Sequence, residues 1–535
     1  MRIVSAYAGR PGAPTAQFAR AVEIATILSG SGMGWLVQAA GLRGCVSLRC
    51  RLVCALQPGR QCPHHVAEDV SLPERLRLTL ERLGPAFVKA GQMLALRPDY
   101  VPLEYAEALR GLHSGAEPFA AAEAAAIVEA ELGAPLSALY EEFDQEPFAA
   151  ASLSQVHRAR LRDGRTVAVK VQRPGVKVQV ERDLALLATL ARRAERLQPR
   201  LIAFRPSQAV AELADYTKRE LDFRNEARTA ERLRQLFAGD DRVVIPAVIT
   251  DRSSARVLTM EFLDGHPPAP AADLRRAGID PEAELRAGAE AMLRQVFQFG
   301  LFHADPHPGN VLFLPGGRIG FIDFGMFGRL GPGERQRMAV MGLALIEGDY
   351  EAVGSQLLYL SEFLPGADPA GFRAQFADTV QEWFGQRAAD FSLPRLLLHG
   401  LSLGARHGIA FPRDLMLLSR ALVTLEATAM LVDPELNLAE LARPLLPELR
   451  RMLLPNTATL QEHWRSHRFE YLSFAAELPY MLPEAISRLR QGALRPAAPP
   501  PAAPPPSARR RYLPLGAAFA AGAGLAAFAL KRRQS

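Results

Sequence analysis

Apolar and polar positions change their rhythm several times along the chain. Residues 18–36 carry apolar positions at helical spacing and run into a Gly-dotted region. Residues 72–112 are again helical in pattern, and Pro98 and Pro102 mark the break. Within 143–172 the rhythm shortens to alternation with β-branched residues. Asp163-Gly164 lies between two such runs and predicts a hairpin whose second strand holds Val167-Ala-Val-Lys170-Val. Helical spacing returns over 176–197 and 207–237. Two strand-like runs follow, 243–249 and 256–263, and together these segments predict a small α+β lobe. From 281 to 454 the pattern is mainly helical, interrupted at 303–328 by a loop-rich stretch with two short apolar runs. Residues 496–508 are mostly Pro and Ala, the composition of a stiff, extended linker. Residues 513–530 then run 18 positions without a charge. A helix of that length spans about 27 Å, close to a bilayer core of about 30 Å.

Charge sharpens the reading of that last segment. The 535-residue chain has a formal net charge of +6, and from Arg509 onward it holds six Lys or Arg and no acid. The remainder is formally neutral. A basic excess that brackets an apolar stretch favours a membrane surface over nucleic acid, and no zinc-finger or RNA-recognition signature accompanies it. Gly516, Ala520 and Gly524 would let another helix approach closely. Basic residues on both sides leave the orientation open. The four cysteines, Cys45, Cys50, Cys54 and Cys62, stand in one short stretch near His64 and His65. Their spacing matches no standard ligand set, and they read as unliganded thiols, with a zinc or iron–sulfur site the open alternative. Met1–Arg20 lacks the apolar core of a signal peptide.

The candidate chemistry lies in the middle of the chain. Lys170 ends an apolar strand run, where a buried ammonium is costly unless paired. Glu220-Leu-Asp222-Phe-Arg-Asn-Glu226 falls in the second of the two helices after that strand. Like charges at i,i+4, Asp222 and Glu226, repel unless cations sit between them, and Lys170 and Lys89 are available. The most specific signal is His303-Ala-Asp305-Pro-His-Pro-Gly-Asn310 followed by Ile322-Asp323-Phe324-Gly325. An Asp and an Asn five residues apart, with a second Asp 13 residues on, is the arrangement that grips Mg²⁺ and phosphates in kinase-type sites. His303 reads as a buttress of the loop. Met260-Glu261-Phe262-Leu263 ends the last small-lobe strand, where backbone groups of a hinge would meet adenine.

Together these motifs resemble the UbiB family of atypical kinase-like proteins. The family-specific marks are Lys89-Ala-Gly-Gln92 and Ala149-Ala-Ala-Ser152, accompanied by Glu220-Leu-Asp222, His303–Asn310 and Asp323-Phe-Gly325. The resemblance implies an α+β, protein-kinase-like, two-lobed fold with an N-terminal helical extension and a C-terminal transmembrane helix. The chain then divides into an N-terminal helical region with the cysteines (1–70), the helical extension (71–115), an N-lobe (116–265), a helical C-lobe (266–455), a helical tail (456–495), a Pro/Ala linker (496–512) and the membrane helix (513–530). It further implies that Lys170 pairs with Glu226, that Asp305 is the catalytic-loop Asp, and that Asn310 and Asp323 are metal ligands. ATP or ADP would lie against Ala149, Ala150, Ala151, Ser152, Lys170, Glu261 and Leu263, with Mg²⁺. An Ala-rich loop in place of a Gly-rich one disfavours ordinary protein phosphorylation. The helix of Lys89 and Gln92 would fold over the site and pair with Glu220 and Asp222.

The residues themselves also argue against an ordinary protein kinase. Ala304 replaces the usual catalytic-loop Arg, His307 stands where Lys is common, and no segment long enough to cradle a peptide follows Gly325. The expected function is that of a membrane-associated, Mg-dependent ATPase supporting ubiquinone biosynthesis. It would make lipid quinone precursors accessible to biosynthetic enzymes, with its body on the cytoplasmic side of the inner membrane. Its partners would be membrane lipids, quinone precursors and those enzymes, with no nucleic acid. The subunit number stays open, a homodimer included. A small-molecule or lipid kinase and a non-catalytic nucleotide-binding scaffold are the alternatives.

Overall fold

The computed structural model describes residues 16–33, 70–95, 101–112, 117–197, 206–384 and 392–434, with a few single positions beyond. The chain divides into two compact units, Met1–Pro444 and Leu445–Ser535. The architecture below is that of the first. The cysteine patch, the Pro/Ala linker and the apolar segment 513–530 lie outside the described residues.

The chain is α+β. Helices α1 (Ala16–Gly30), α2 (Leu72–Leu83), α3 (Pro85–Ala95), α4 (Leu103–Arg110) and α5 (Ala121–Leu132) precede the first sheet. Its strands are β1 (Glu142–Phe143), β2 (Ala149–Ala150), β3 (Ser154–Arg160), β4 (Thr166–Gln172) and β6 (Val257–Glu261), ordered β1-β3-β4-β6 with β2 also on β3. The expected β3–β4 hairpin is present. Gly164 takes the left-handed φ of 86° that its turn requires, and Asp163 accepts a hydrogen bond from the Arg165 amide at 3.1 Å. On β4, Val167, Val169 and Val171 are fully buried against Ile127 and Val128 of α5. The period of two then turns Ala168 and Lys170 to the opposite face.

Three expected elements differ. The run 72–112 is broken at Gly84-Pro85 as well as before α4. Gly84 adopts φ 101°, and the proline cannot continue the preceding hydrogen-bond ladder. The run 207–237 forms two helices, α7 (Pro206–Glu220) and α8 (Phe223–Leu236), after α6 (Val176–Leu197). Asp222 is the N-cap of α8, its carboxylate accepting from the Arg224 amide at 3.1 Å. The run 243–249 serves two sheets. Its first residues, β5 (Val243–Val244), pair in parallel with β9 (Arg318–Phe321), while Val248 bridges Met260 of β6. The first helix spans Ala16–Gly30 and is pinned to α6 by Arg20, which donates to buried Asp183 at 2.8 Å.

The second half is built on α9 (Pro281–Leu293), which passes into a π-helical turn, Arg294–Phe299, ended by Gly300 at φ 63°. Strands β7 (Leu301–His303), β8 (Val311–Leu314), β9 and β10 (Phe327–Arg329) follow. β8 and β9 form a tight hairpin, and β7 pairs with β10. Helices α10 (Pro332–Glu347), α11 (Tyr350–Tyr359), α12 (Pro369–Phe384), α13 (Leu393–Arg406) and α14 (Arg413–Val432) close the unit, with a small strand pair between Glu362–Phe363 and Ile409–Ala410. Phe302, Leu357, Phe372, Phe376 and Leu401 fill their common core with almost no exposure. Each such side chain contributes about 1.5–3 kcal/mol by leaving water.

Candidate active site

The strand registers bring the motif residues together. In the β8–β9 hairpin Val311 faces Phe321, and the Ile322 amide donates to the Asn310 carbonyl at 3.1 Å. Asn310 and Asp323 therefore flank the same end of one hairpin. Lys170 reaches them from the cleft-facing side of β4. A cleft of about 460 Å³ results, lined by Ala149–Ser152, Lys170, Glu226, Asp305, Asn310 and Asp323, with Lys89, Gln92 and Glu220 at one side. The strand end Met260–Leu263 also lines it. The Glu261 carboxylate accepts from the Ala247 amide at 3.4 Å, and the Glu261 amide donates to the Ala247 carbonyl at 2.9 Å.

Lys170 Nζ donates to both oxygens of Glu226, at 2.7 and 2.9 Å, and stands 3.6 Å from Asp323 Oδ2. The Phe324 amide donates to Glu226 at 3.4 Å, and the Phe324 ring is buried among residues of α8. The three charges shape one another. Burial pushes Lys170 down, but Asp323 and Glu226 override it and hold the ammonium above its usual range. Burial pushes Asp323 up, yet Lys170, the Gly325 amide at 2.8 Å, His303 and Lys89 together keep it well below the usual carboxylate range. Burial pushes the Glu226 carboxyl up against the pull of Lys170, and Asp323 adds to the push.

Lys89 pairs with Glu220, and both are largely buried. Asp222 does not join them, because its carboxylate is taken by Arg224 at 2.8 Å. Nor do Asp222 and Glu226 share a helix face bridged by lysines, since Asp222 sits outside the helix as its cap. Gln92 donates to the Leu112 carbonyl at 3.0 Å, and its buried Oε1 has no partner among the described residues. The glycine of this motif has a packing reason. A Cβ on Gly91 would overlap the side chains of Leu112 and Leu80. Gly91→Ala is expected to destabilise the protein by about 1–3 kcal/mol, the usual cost of overpacking, measured by urea unfolding.

The Ala-rich loop is a narrow turn. Ala149 and Ala150 pair with Val156 and Gln155, and the Ala151 amide donates to the Ser154 carbonyl at 2.7 Å. The Ala151 N–H is thus used within the loop, while Ser152 lines the cleft beside it. Phe148, exposed just before the loop, meets Phe262 of the hinge segment edge-on at 5.8 Å.

The catalytic-type loop is held from several directions. The Asp305 amide donates to His303 Nδ1 at 3.1 Å, and Asn310 Nδ2 donates to the Asp305 carbonyl at 3.0 Å. His303 is buried against Phe321 and Phe327, which lowers its basicity, and its amide donates to Gln295 Oε1 at 2.8 Å. His303 is thus a structural member of the loop, as expected. His307 Nδ1 accepts from the Gly309 amide at 3.0 Å. The sequence reading missed Gln295, which the π-helical turn presents, and Arg420 on α14, which pairs with Asp305 at 2.7 Å. A lone Arg inside an apolar helix was the available signal, since a buried guanidinium needs a partner.

The donor set suits a divalent cation. Counted by direct ion pairs, Lys89 is matched with Glu220 and Arg420 with Asp305, whereas Lys170 is shared by two carboxylates, Glu226 and Asp323. One negative charge is left over beside hard oxygen donors, the Asp323 carboxylate and the Asn310 amide oxygen, whose own Nδ2 is already committed. Among the described residues no cluster of three or more His, Cys, Asp or Glu offers an alternative metal site.

This constellation is that of an atypical kinase-like domain. Residues 111–357 match the ABC1 atypical kinase-like domain and residues 376–437 the UbiB helical domain, together more than half of the chain. The chain belongs to the UbiB family, which is linked to ubiquinone biosynthesis. Among solved structures it is similar to one titled as the complex of Rv3197 with erythromycin from Mycobacterium tuberculosis. That similarity has 25% identity and a TM-score of 0.47, and it covers 69% of this chain and 94% of the other.

One described helix, α14, is long and apolar enough to cross a membrane, with mean hydropathy 1.7. Leu415, Met416, Leu417, Leu418 and Ala421 of that helix are buried in the helical core of the unit. Its apolar face is used within the fold.

Proposed function

We propose that the chain is a Mg²⁺-dependent, kinase-like ATPase that acts at the membrane in support of ubiquinone biosynthesis. The observation that carries this reading is the convergence of Lys170, Glu226, Asp305, Asn310 and Asp323 in one cleft with one uncompensated negative charge. ATP would lie between the Ala149–Ser152 turn and the hinge segment Glu261–Leu263. Lys170, fixed by Glu226, would hold the inner phosphates. Asn310 and Asp323 would hold Mg²⁺, which when bound neutralises the charge that develops on the phosphates. Asp305 would orient the attacking hydroxyl of water. Its rigid loop, held by His303, Asn310 and Arg420, supplies the positioning on which phosphoryl transfer depends. Lys89 and Gln92, which line one side of the cleft, would narrow the approach of an acceptor and so favour release of phosphate to water. The apolar segment 513–530 would anchor the body to the cytoplasmic face of the inner membrane, near quinone precursors and the enzymes that modify them.

The test is quinone content in the source cell carrying Asp323→Asn at the native locus, read by lipid extraction and mass analysis. Ubiquinone should fall and an early precursor should accumulate while protein abundance holds. Unchanged quinones would overturn the quinone role. Phosphate transferred to an added lipid or small molecule, rather than released, would favour the kinase reading.

A further inference from the structure

Kinase-type catalytic loops usually carry their own cation beside the catalytic Asp. Here the loop has Ala304, fully buried and apolar, and His307, whose ring is folded back on the Gly309 amide. The cation arrives from elsewhere. Arg420 of α14, 115 positions later in the chain, donates Nη2 to Asp305 Oδ2 at 2.7 Å. Both side chains are mostly shielded, at 15% and 20% exposure. No other side chain bonds this carboxylate among the described residues, so the geometry of Asp305 is set by a single guanidinium. Thr428, two turns further along α14, has its one hydroxyl proton between the Thr424 carbonyl at 2.8 Å and the Pro306 carbonyl at 3.3 Å, so the helix also touches the same loop there. Arg420 Nη1 is buried without a partner among the described residues, a cost that packing alone does not require.

We propose that Arg420 is the positioning residue of this site, a guanidinium supplied in cis from a distant helix that replaces the missing loop cation and aims Asp305 at the attacking nucleophile. The inference rests on the ATPase reading above. Arg420 does not line the cleft, and its one ion pair there is with Asp305.

The experiment is steady-state MgATP hydrolysis by the full chain in detergent or vesicles, with MgATP binding followed separately by thermal shift. For Arg420→Ala, kcat should fall about 10- to 100-fold, while KM and the MgATP-induced shift stay within about twofold. Added guanidinium should restore part of kcat, and should restore nothing in the Arg420→Ala/Asp305→Asn double variant. Arg420→Lys, which keeps the charge but loses the planar fork, should fall between wild type and Arg420→Ala. It also carries the test should the alanine variant not fold. Unchanged kcat in a variant that is only less stable would overturn the proposal and leave Arg420 a structural residue. So would a lost kcat that neither Lys nor guanidinium recovers. A wild-type chain that binds no MgATP, or binds it without turnover, would instead sink the ATPase reading itself.

Discussion

Lys170→Met is expected to abolish MgATP binding and to lower the stability of the nucleotide-free protein by about 3 kcal/mol, because it removes one partner of a buried pair and leaves the other uncompensated. The effect follows from the charge count. Lys170 is the cation for two carboxylates, Glu226 at 7% side-chain exposure and Asp323 at 37%. Most of the penalty lies with Glu226, since water screens Asp323 in part. Glu226→Gln added to Lys170→Met should therefore recover most of the stability and none of the binding. A single Lys170→Met that unfolds like wild type would show that water already satisfies Glu226. The pH dependence has a definite sign. Without the ammonium, burial and the neighbouring carboxylate raise the Glu226 pKa above its unfolded value. The variant then binds more protons folded than unfolded, so its deficit is full at neutral pH and shrinks as pH falls toward about 4.5. Urea unfolding of both variants at pH 7 and pH 5 measures this.

Much of the site was legible because its signals are local. Alternation with Asp163-Gly164 gives the β3–β4 hairpin, and the same alternation puts Lys170 on the face opposite Val167, Val169 and Val171. The spacing from Asp305 to Asn310 and on to Asp323 is read on one loop and one hairpin. What the sequence hid is long-range or is a change of backbone within an unbroken rhythm. Helical periodicity runs through Leu221-Asp222, yet Asp222 caps the next helix by accepting from its Arg224 amide, and the previous helix ends at Glu220. That cap removes Asp222 from the expected ion-pair cluster. The break at Gly84-Pro85 falls inside a run whose apolar rhythm continues across it. Residues 243–249 read as one strand because both sheets they serve want the same apolar residues, and only the partner strands tell them apart. Arg420 reaches Asp305 through the packing of α14, which no spacing rule encodes.

Asp323→Asn is expected to reduce MgATP turnover by at least about 100-fold, equivalent to about 2.7 kcal/mol of barrier, with a small effect on the fold. The substitution keeps size and the hydrogen bond that Asp323 Oδ1 accepts from the Gly325 amide. It removes the charge that exceeds what Lys170 can neutralise, and with it the electrostatic reason for a divalent cation to bind beside Asn310. The fold should be little affected for a second reason. The Asp323 pKa is depressed in the folded protein, so its ionised form contributes stability that is present above about pH 4 and lost as pH falls below that. The group is more than a third exposed, however, and solvent screening keeps that contribution small. Wild type and variant should therefore unfold alike without Mg²⁺, and only wild type should be stabilised when Mg²⁺ and ATP are added together. Equal stabilisation of both by the pair would place the cation elsewhere. Loss of stability in the variant before any ligand is added would make Asp323 chiefly the counter-charge of Lys170, and the quinone measurement would then need Asn310→Ala as its site-directed variant.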